Sequence, residues 1–231
     1  MTRKLEILRR ATEVFDRKGF AESSLEDIAE AVGVTREAVY YYFKNKTEIL
    51  VEIIRPQSVA LLDGIETIID LEIPASEKLF LAIQNHLGRF NPNFMEMTVV
   101  VRDEYFARHH PEFAGLRETW RKYHALWTRL VQDGQSQGEF RAEMDAKMAV
   151  FAILGMCNWL SRWYDPGQDV SIRSLIRLYF QISAFGLVKE DQREGRLFAM
   201  FEEYRPPEPV ADQPAKRKRG RPRKQPVAAT D

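Results

Sequence analysis

Gly33-Val34-Thr35 is the part of this sequence that leaves the fold least freedom. It stands between two apolar stripes, Ile28-Ala29-Val32 and Val39-Phe43, each too short to persist as a helix alone, because a helix nucleus costs more than one or two turns of hydrogen bonds return. Such segments persist only by packing on each other and on a longer neighbour. Gly33 takes a positive φ without a Cβ penalty, Val34 fills the space between the helices, and Thr35 is a preferred N-cap for the second of them. Upstream, Ser24 with Asp27 three residues on has the spacing of a capping box that opens the first short helix. The longer neighbour is Arg3 to Lys18, with Ile7, Ala11, Val14 and Phe15 at helical spacing and Gly19 as its stop. A tight turn between two brief helices is the arrangement that places a recognition helix in the major groove of DNA.

Apolar residues keep helical spacing through most of the remaining chain and period-two alternation is scarce, so the expected fold class is all-α. The boundaries expected are an N-terminal three-helix helix-turn-helix domain over residues 1–50, a larger helical domain over 51–204, and a disordered tail over 205–231, too polar and proline-rich to fold. The third short helix spans Arg36 to Phe43, and a fourth begins at Asn45 or Lys46 and runs past Leu50 and Ile54. Pro56 falls within that fourth pattern, where a missing donor and a steric clash predict a bend or a split. Further helices are expected over Ser76 to Phe90, Met97 to Arg108, Glu112 to Gln137, Asp145 to Tyr164, Ser171 to Val188 and Glu190 to Tyr204. With 45% hydrophobic and 29% charged residues, the chain has material for a sizeable core. Its single cysteine, Cys157, excludes an intramolecular disulfide, and no run is long and apolar enough to cross a bilayer. A cytoplasmic protein without membrane contact is expected.

Catalysis finds little support. His86, His109, His110 and His124 have no metal-ligand spacing, Cys157 sits in an apolar helix, and no glycine-rich phosphate loop follows a strand. Asp103 and Glu104 are helical neighbours that point different ways, and a solvated face explains them. No cofactor and no metal are expected. The outer face of the helix after Thr35 is more telling. With Val39 and Phe43 turned inward, Arg36, Glu37, Tyr40 and Tyr41 point outward. Arg36 is suited to donate to a guanine edge, Glu37 to accept from cytosine N4, and Tyr40, Tyr42 and Lys46 to reach phosphate oxygens. The Thr35 hydroxyl stays near the DNA, and the helix N-terminus after Ser24 offers backbone donors to another phosphate. The plain alternative is that Tyr40-Tyr41-Tyr42-Phe43 is packing and Arg36 a solvated charge.

The set Phe15, Gly19-Phe20, Ser24, Asp27-Ile28-Ala29, Gly33-Val34, Tyr40, Phe43, Lys46 and Leu50, at these spacings, resembles the N-terminal domain of the tetracycline-repressor (TetR) family over about the first fifty residues. The resemblance implies a DNA-binding transcriptional regulator, commonly a repressor and not an enzyme. In that family the positions of Ser24, Tyr40 and Lys46 meet the DNA backbone, while those of Arg36, Glu37, Ala38 and Tyr42 approach base edges. Glu37 departs from the small residue common at its position, which makes it a candidate for operator specificity. The resemblance also implies a homodimer built from the last two long helices, 145–164 and 171–188, on a near-palindromic double-stranded operator. Phe151, Ile153, Leu154, Leu175, Leu178, Ile182 and Phe185, with small Ala152, Gly155, Ala184 and Gly186, suit helices buried on more than one side.

The body of that family binds a small effector. Glu112 to Arg141 and Cys157 to Gly167 are similar to the branch that answers to acyl-CoA thioesters in fatty-acid or steroid catabolism. This implies an effector pocket of Phe90, Arg102, Tyr105, Phe106, Trp120, Tyr123, Trp127, Asn158, Trp159 and Arg162, with an apolar moiety among the aromatics and cations facing the CoA phosphates. Singly, each aromatic is better explained as core and each cation as a surface charge. An effector shifts an equilibrium only by preferring one body shape over another, and Pro56 is the expected hinge.

The formal net charge is zero, yet Lys216-Arg217-Lys218-Arg219-Gly220-Arg221-Pro222-Arg223-Lys224 packs seven cations into nine residues. This run, 216–224, resembles an AT-hook. Gly220 lets the backbone lie deep in a narrow minor groove, Pro222 holds the strand extended, and Arg219, Arg221 and Arg223 are drawn to the negative potential of A·T tracts. Two alternatives stay open: a merely attractive basic tail, and an architectural DNA-binding dimer in which the tail dominates and no effector binds.

Overall fold

The computed structural model describes residues 2–88, 110–165 and 170–192. Among the described residues there are eight α-helices and no strand: α1 (Arg3–Lys18), α2 (Leu25–Val32), α3 (Arg36–Tyr40), α4 (Lys46–Ile69), α5 (Ala75–Leu87), α6 (Ala114–Ser136), α7 (Ala146–Trp163) and α8 (Ile172–Leu187). Short 3-10 turns lie at Pro111–Phe113 and Glu190–Gln192. The expected helix over Met97 to Arg108 and the tail lie outside the described residues, as does the expected helix after Gln192.

The local rules operate as written in the sequence. Ser24 and Asp27 form a reciprocal capping box on α2, and Gly33 closes that helix in the left-handed region with φ 76° and ψ 38°. Thr35, Asn45, Asp145 and Ser171 each cap the helix they precede. Two expectations need correction. Helix α3 stops at Tyr40, not Phe43; Tyr41 to Phe43 continue as a turn, with the Phe43 N–H still donating to the Val39 carbonyl at 3.0 Å. Helix α4 is not split at Pro56 but runs unbroken for 24 residues, through residue 50. The proline ring is exposed, while Ile54, Ser58 and Leu61 around it are buried. Packing on the inner face therefore outweighs the one hydrogen bond lost on the outer face.

Helix α4 is the spine. It packs on α1 near its start and on α5 and α6 further along, and α5 packs on α6 and α8 while α7 packs on α6 and α8. Ile49, Leu50, Ile54, Leu61 and Ile65 are its inward stripe. Helix α5 has Pro74 at its N-cap, which supplies no side-chain acceptor. The Glu139 carboxylate does so instead, accepting from Ala75 N–H at 2.7 Å and Ser76 N–H at 2.9 Å. The Glu139 carbonyl accepts from Lys189 N–H, and Arg141 N–H donates to the Leu187 carbonyl, so the same segment holds the end of α8.

Gly134, in the last turns of α6, lies against Phe140. A Cβ there would stand 2.5 Å from a ring carbon of Phe140, which is wholly buried. Gly134→Ala is expected to destabilise the protein by about 1–3 kcal/mol through overpacking. At about 2–4 °C per kcal/mol for a chain of this size, the loss is measurable as a lowered thermal midpoint.

Candidate nucleic-acid interface

The reader surface starts from the two residues that hold α3 down. Val39 and Phe43 are buried, α3 packs on α2, and Lys4 Nζ of α1 lies 5.4 Å from the Phe43 ring centroid. With that face fixed, Arg36, Glu37, Tyr40, Tyr41 and Tyr42 are all exposed, Tyr41 the most of the three tyrosines at 83%. Ala38 is half-buried between them. The tyrosine run is therefore not packing, and only Phe43 of that tetrad belongs to the core.

Most polar groups of this surface already have partners. Arg36 bridges to Glu26 on α2 and donates to Tyr40 Oη at 2.8 Å. Glu37 is held below the usual carboxylate range by its own backbone N–H and the Thr35 hydroxyl, with the Arg36 charge beside it. Thr35 Oγ1 in turn accepts from Ala38 N–H at 3.3 Å. The Ser24 hydroxyl donates to Asp27 Oδ2 at 2.9 Å and accepts from Asp27 N–H at 3.1 Å. Asp27 is held down to about 2 by the Lys18 ammonium, and further by the Ser24 hydroxyl and backbone N–H.

Lys46 takes a place that spacing alone did not suggest. Its Nζ donates to the carbonyls of Phe20, Ala21 and Ser23 at 2.9, 2.8 and 2.7 Å, which engages all three ammonium donors. It also lies 4.9 Å from the Phe20 ring centroid, and desolvation lowers its pKa. In this state Lys46 ties the start of α4 to the turn between α1 and α2. Glu26, the partner of Arg36, was likewise missed, since its ten-residue separation from Arg36 matches no helical repeat and emerges only when α2 and α3 pack.

In the body, Trp120, Tyr123 and Trp127 line the inward stripe of α6 and are buried. His86 of α5, also buried, stands among them: its Nδ1 is 2.9 Å from Tyr123 Oη and its Nε2 is 3.1 Å from Asn158 Oδ1. That pattern fits a ring that donates to Asn158 and accepts from Tyr123. His86 carried no sequence signal beyond lacking metal-ligand spacing. Trp159 and Arg162, expected with this group, are exposed instead, Trp159 at 64%. Helical spacing explains it: Trp159 comes after Phe151 and Gly155 at intervals of four, all on the outer face of α7, while Asn158 faces α5. Phe90, Arg102, Tyr105 and Phe106 lie outside the described residues, as do Arg219, Gly220, Arg221, Pro222 and Arg223. Cys157 is wholly buried and its thiol is pushed up to about 12 by burial, which leaves it unreactive.

The outer faces of α7 and α8 form an apolar stripe. Met148, Phe151, Trp159 and Trp163 on α7 and Leu178, Ile182 and Phe185 on α8 are all exposed, with Ala152, Gly155 and Gly186 among them. Ile153, Leu154, Leu175 and Ala184, counted with the dimer set in the sequence, are buried on the inner side.

Residues 7–53 match the model for bacterial regulatory proteins of the tetR family, and residues 72–187 match the tetracyclin repressor-like C-terminal domain. The probable HTH-type transcriptional regulator ArpR of Pseudomonas putida is 38% identical over 72% of this chain and 90% of its own. The HTH-type transcriptional repressor KstR2 of Mycobacterium tuberculosis is 25% identical over 82% of this chain and 94% of its own. The solved structure of that ketosteroid regulator matches with a TM-score of 0.72 at 23% identity, covering 82% of this chain and 96% of that one. A structure of AibR with isovaleryl coenzyme A and operator DNA has the same fold, with a TM-score of 0.67 at 17% identity over 78% of this chain and 97% of that one.

The geometry of the head sets two outcomes. Because the folded Asp27 value of about 2 lies below its ordinary 3.8, the contribution to stability is present above about pH 4 and is lost as pH falls towards 2. The gap in thermal midpoint between the wild type and Asp27→Asn, which keeps the cap but not the charge, is expected to close over that interval. Lys46→Met keeps the stem and removes the donors. It is expected to cost about 1–2 kcal/mol in stability and to weaken DNA binding without changing its salt dependence. Loss of about 0.9 from the slope of log K against log salt would instead mark a direct phosphate contact.

Proposed function

Because this chain belongs to the TetR family of bacterial transcriptional regulators, we propose that it is a repressor that reads a near-palindromic operator as a homodimer and leaves it on binding a small effector with an apolar acyl part, an acyl-CoA thioester. The family places it among regulators and not among enzymes. The observation that carries the DNA-reading part is the exposed polar face of α3, fixed from behind by buried Val39 and Phe43. Arg36 is the residue best suited to a guanine edge, with Glu37 and Tyr42 beside it and Ala38 small enough to admit a thymine methyl; Ser24, Thr35, Tyr40 and Tyr41 border the phosphates, and Lys46 holds the α1–α2 turn beside them. No helix among the described residues is long and apolar enough to cross a membrane, and a cytoplasmic site of action suits a DNA-binding regulator.

The apolar stripe on α7 and α8 supports the dimer, since so many large apolar side chains gathered on one face of a soluble chain mark an interface. Pairing two copies through it would bring two α3 helices to the same side of a duplex, matching half-sites one turn apart. The acyl-CoA assignment draws on the aromatic group of α6, on the likeness of Glu112 to Arg141 to that branch of the family, and on the coenzyme A thioester held by AibR. The basic run 216–224 would add a minor-groove contact of its own, raising occupancy by effective concentration.

Mobility shift of a duplex from the chain's own upstream DNA, with and without a panel of acyl-CoA thioesters, tests the whole. The expected result is a discrete complex dissolved by one thioester. A complex that no thioester affects overturns the effector class and leaves the reader. Ile182→Arg is expected to give monomers in sedimentation and to lower operator affinity by about 100-fold or more, the loss of a bivalent contact. Deleting residues 205–231 should weaken binding while keeping the same footprint; a footprint that vanishes with the tail would favour the architectural alternative.

A further inference from the structure

We propose that Asn45 and Glu112 form a latch through which helix α6 sets the position of the DNA-reading head, making Glu112, in the body, a positioning residue for α3. The proposal rests on the assignment of α3 as a DNA reader.

Asn45 does two jobs with one amide. Its Oδ1 accepts from Glu48 N–H at 2.8 Å and caps α4, while its Nδ2 donates to Glu112 Oε1 at 2.8 Å, across 67 residues of sequence. The segment around it is tied down on both sides. Lys44 N–H donates to Glu48 Oε2 at 2.7 Å, and buried Phe43, which pins α3, is two residues before Asn45. A displacement at Asn45 is thus carried to the anchor of the reading helix. On the other side, Glu112 sits in the 3-10 turn Pro111–Phe113, which leads directly into α6, and Phe113 is wholly buried. Helix α6 bears Trp120, Tyr123 and Trp127, so any ligand that shifts that aromatic group along or about the helix axis also moves Glu112.

The chemistry suits a switch better than a brace. Glu112 Oε2 is buried without a hydrogen-bond partner. Its carboxyl nevertheless stays below the usual range, through its own backbone N–H and the Asn45 amide, with His110 and Lys44 also favouring the charge. The unpaired oxygen offsets part of what the Asn45 bond contributes. What the amide-carboxylate bond supplies is direction: it is made in one relative placement of α6 and the head and broken in another, as a two-state element requires.

Exchange of donor and acceptor tests this in the full-length protein. Asp caps a helix as well as Asn, so Asn45→Asp keeps α4 but sets carboxylate against carboxylate. Glu112→Gln keeps an acceptor for Asn45, and the double variant Asn45→Asp/Glu112→Gln restores the bond with its direction reversed. Two readouts serve: hydrogen exchange at the amides of Tyr41 to Phe43 and Glu48, and affinity for a duplex selected by the wild-type protein from a random pool. Asn45→Asp is expected to exchange about fivefold faster and bind about tenfold more weakly, Glu112→Gln to stay within about twofold, and the double variant to recover to within about threefold of wild type. The proposal is overturned if the double variant remains as weak as Asn45→Asp alone, since a misplaced charge near phosphate then explains the loss, or if Asn45→Asp matches wild type in both readouts. If exchange tracks the swap but the wild type selects no duplex, the latch stands and the DNA-reading assignment fails.

Discussion

A helix of five residues cannot hold its own shape in water, so the outer face of α3 exists only because Val39 and Phe43 are gripped from behind in the core. Everything that faces outward on α3 inherits its direction from that grip. The grip itself depends on where α4 begins, and that point is fixed three times over: by the Asn45 cap, by the Glu48 carboxylate on Lys44 N–H, and by the Lys46 ammonium on three carbonyls of the α1–α2 turn. The head is a small body tied by directed bonds as much as by its core.

Much of this is legible in the sequence alone. The capping box at Ser24, the left-handed Gly33 and the caps at Thr35, Asn45, Asp145 and Ser171 are local devices, written in adjacent residues and governed by backbone donors that must be satisfied nearby. What escapes such reading is non-local. Nothing in the sequence links Glu26 to Arg36, Glu139 to Ala75 or His86 to Asn158, because those pairs are chosen by the packing of whole helices. Pro56 shows the converse: the split that a local rule allows does not occur where the neighbouring residues are buried. The split of α7 into an inner side bearing Asn158 and an outer side bearing Trp159 was open to helical periodicity, which separates adjacent residues by about 100°. The family likeness had grouped them together.

The head is electrostatically occupied before any nucleic acid arrives. Arg36 is paired with Glu26 and Tyr40, Ser24 with Asp27, and Lys46 with backbone carbonyls. In the proposed reading, a duplex that engages Arg36 and Ser24 exchanges these contacts for its own. Exchange returns less free energy than addition, but it penalises a wrong base more heavily, because a partner has been surrendered and nothing gained. Affinity given up in this way appears as discrimination.

The cap that Glu139 places on α5 carries a consequence in time. Residues 75 and 139 are separated by 64 positions, so when α5 leaves the ribosome its first amide donors have no acceptor from the protein until the chain beyond α6 has been made. At roughly 5–20 residues per second that interval is several seconds, during which the head, whose internal ties all lie within the first 54 residues, already has the partners that shape it. The chain can thus complete the part that grips DNA while the part that governs it is still being synthesised, and that second part is closed only when the segment around Glu139 reaches both α5 and α8.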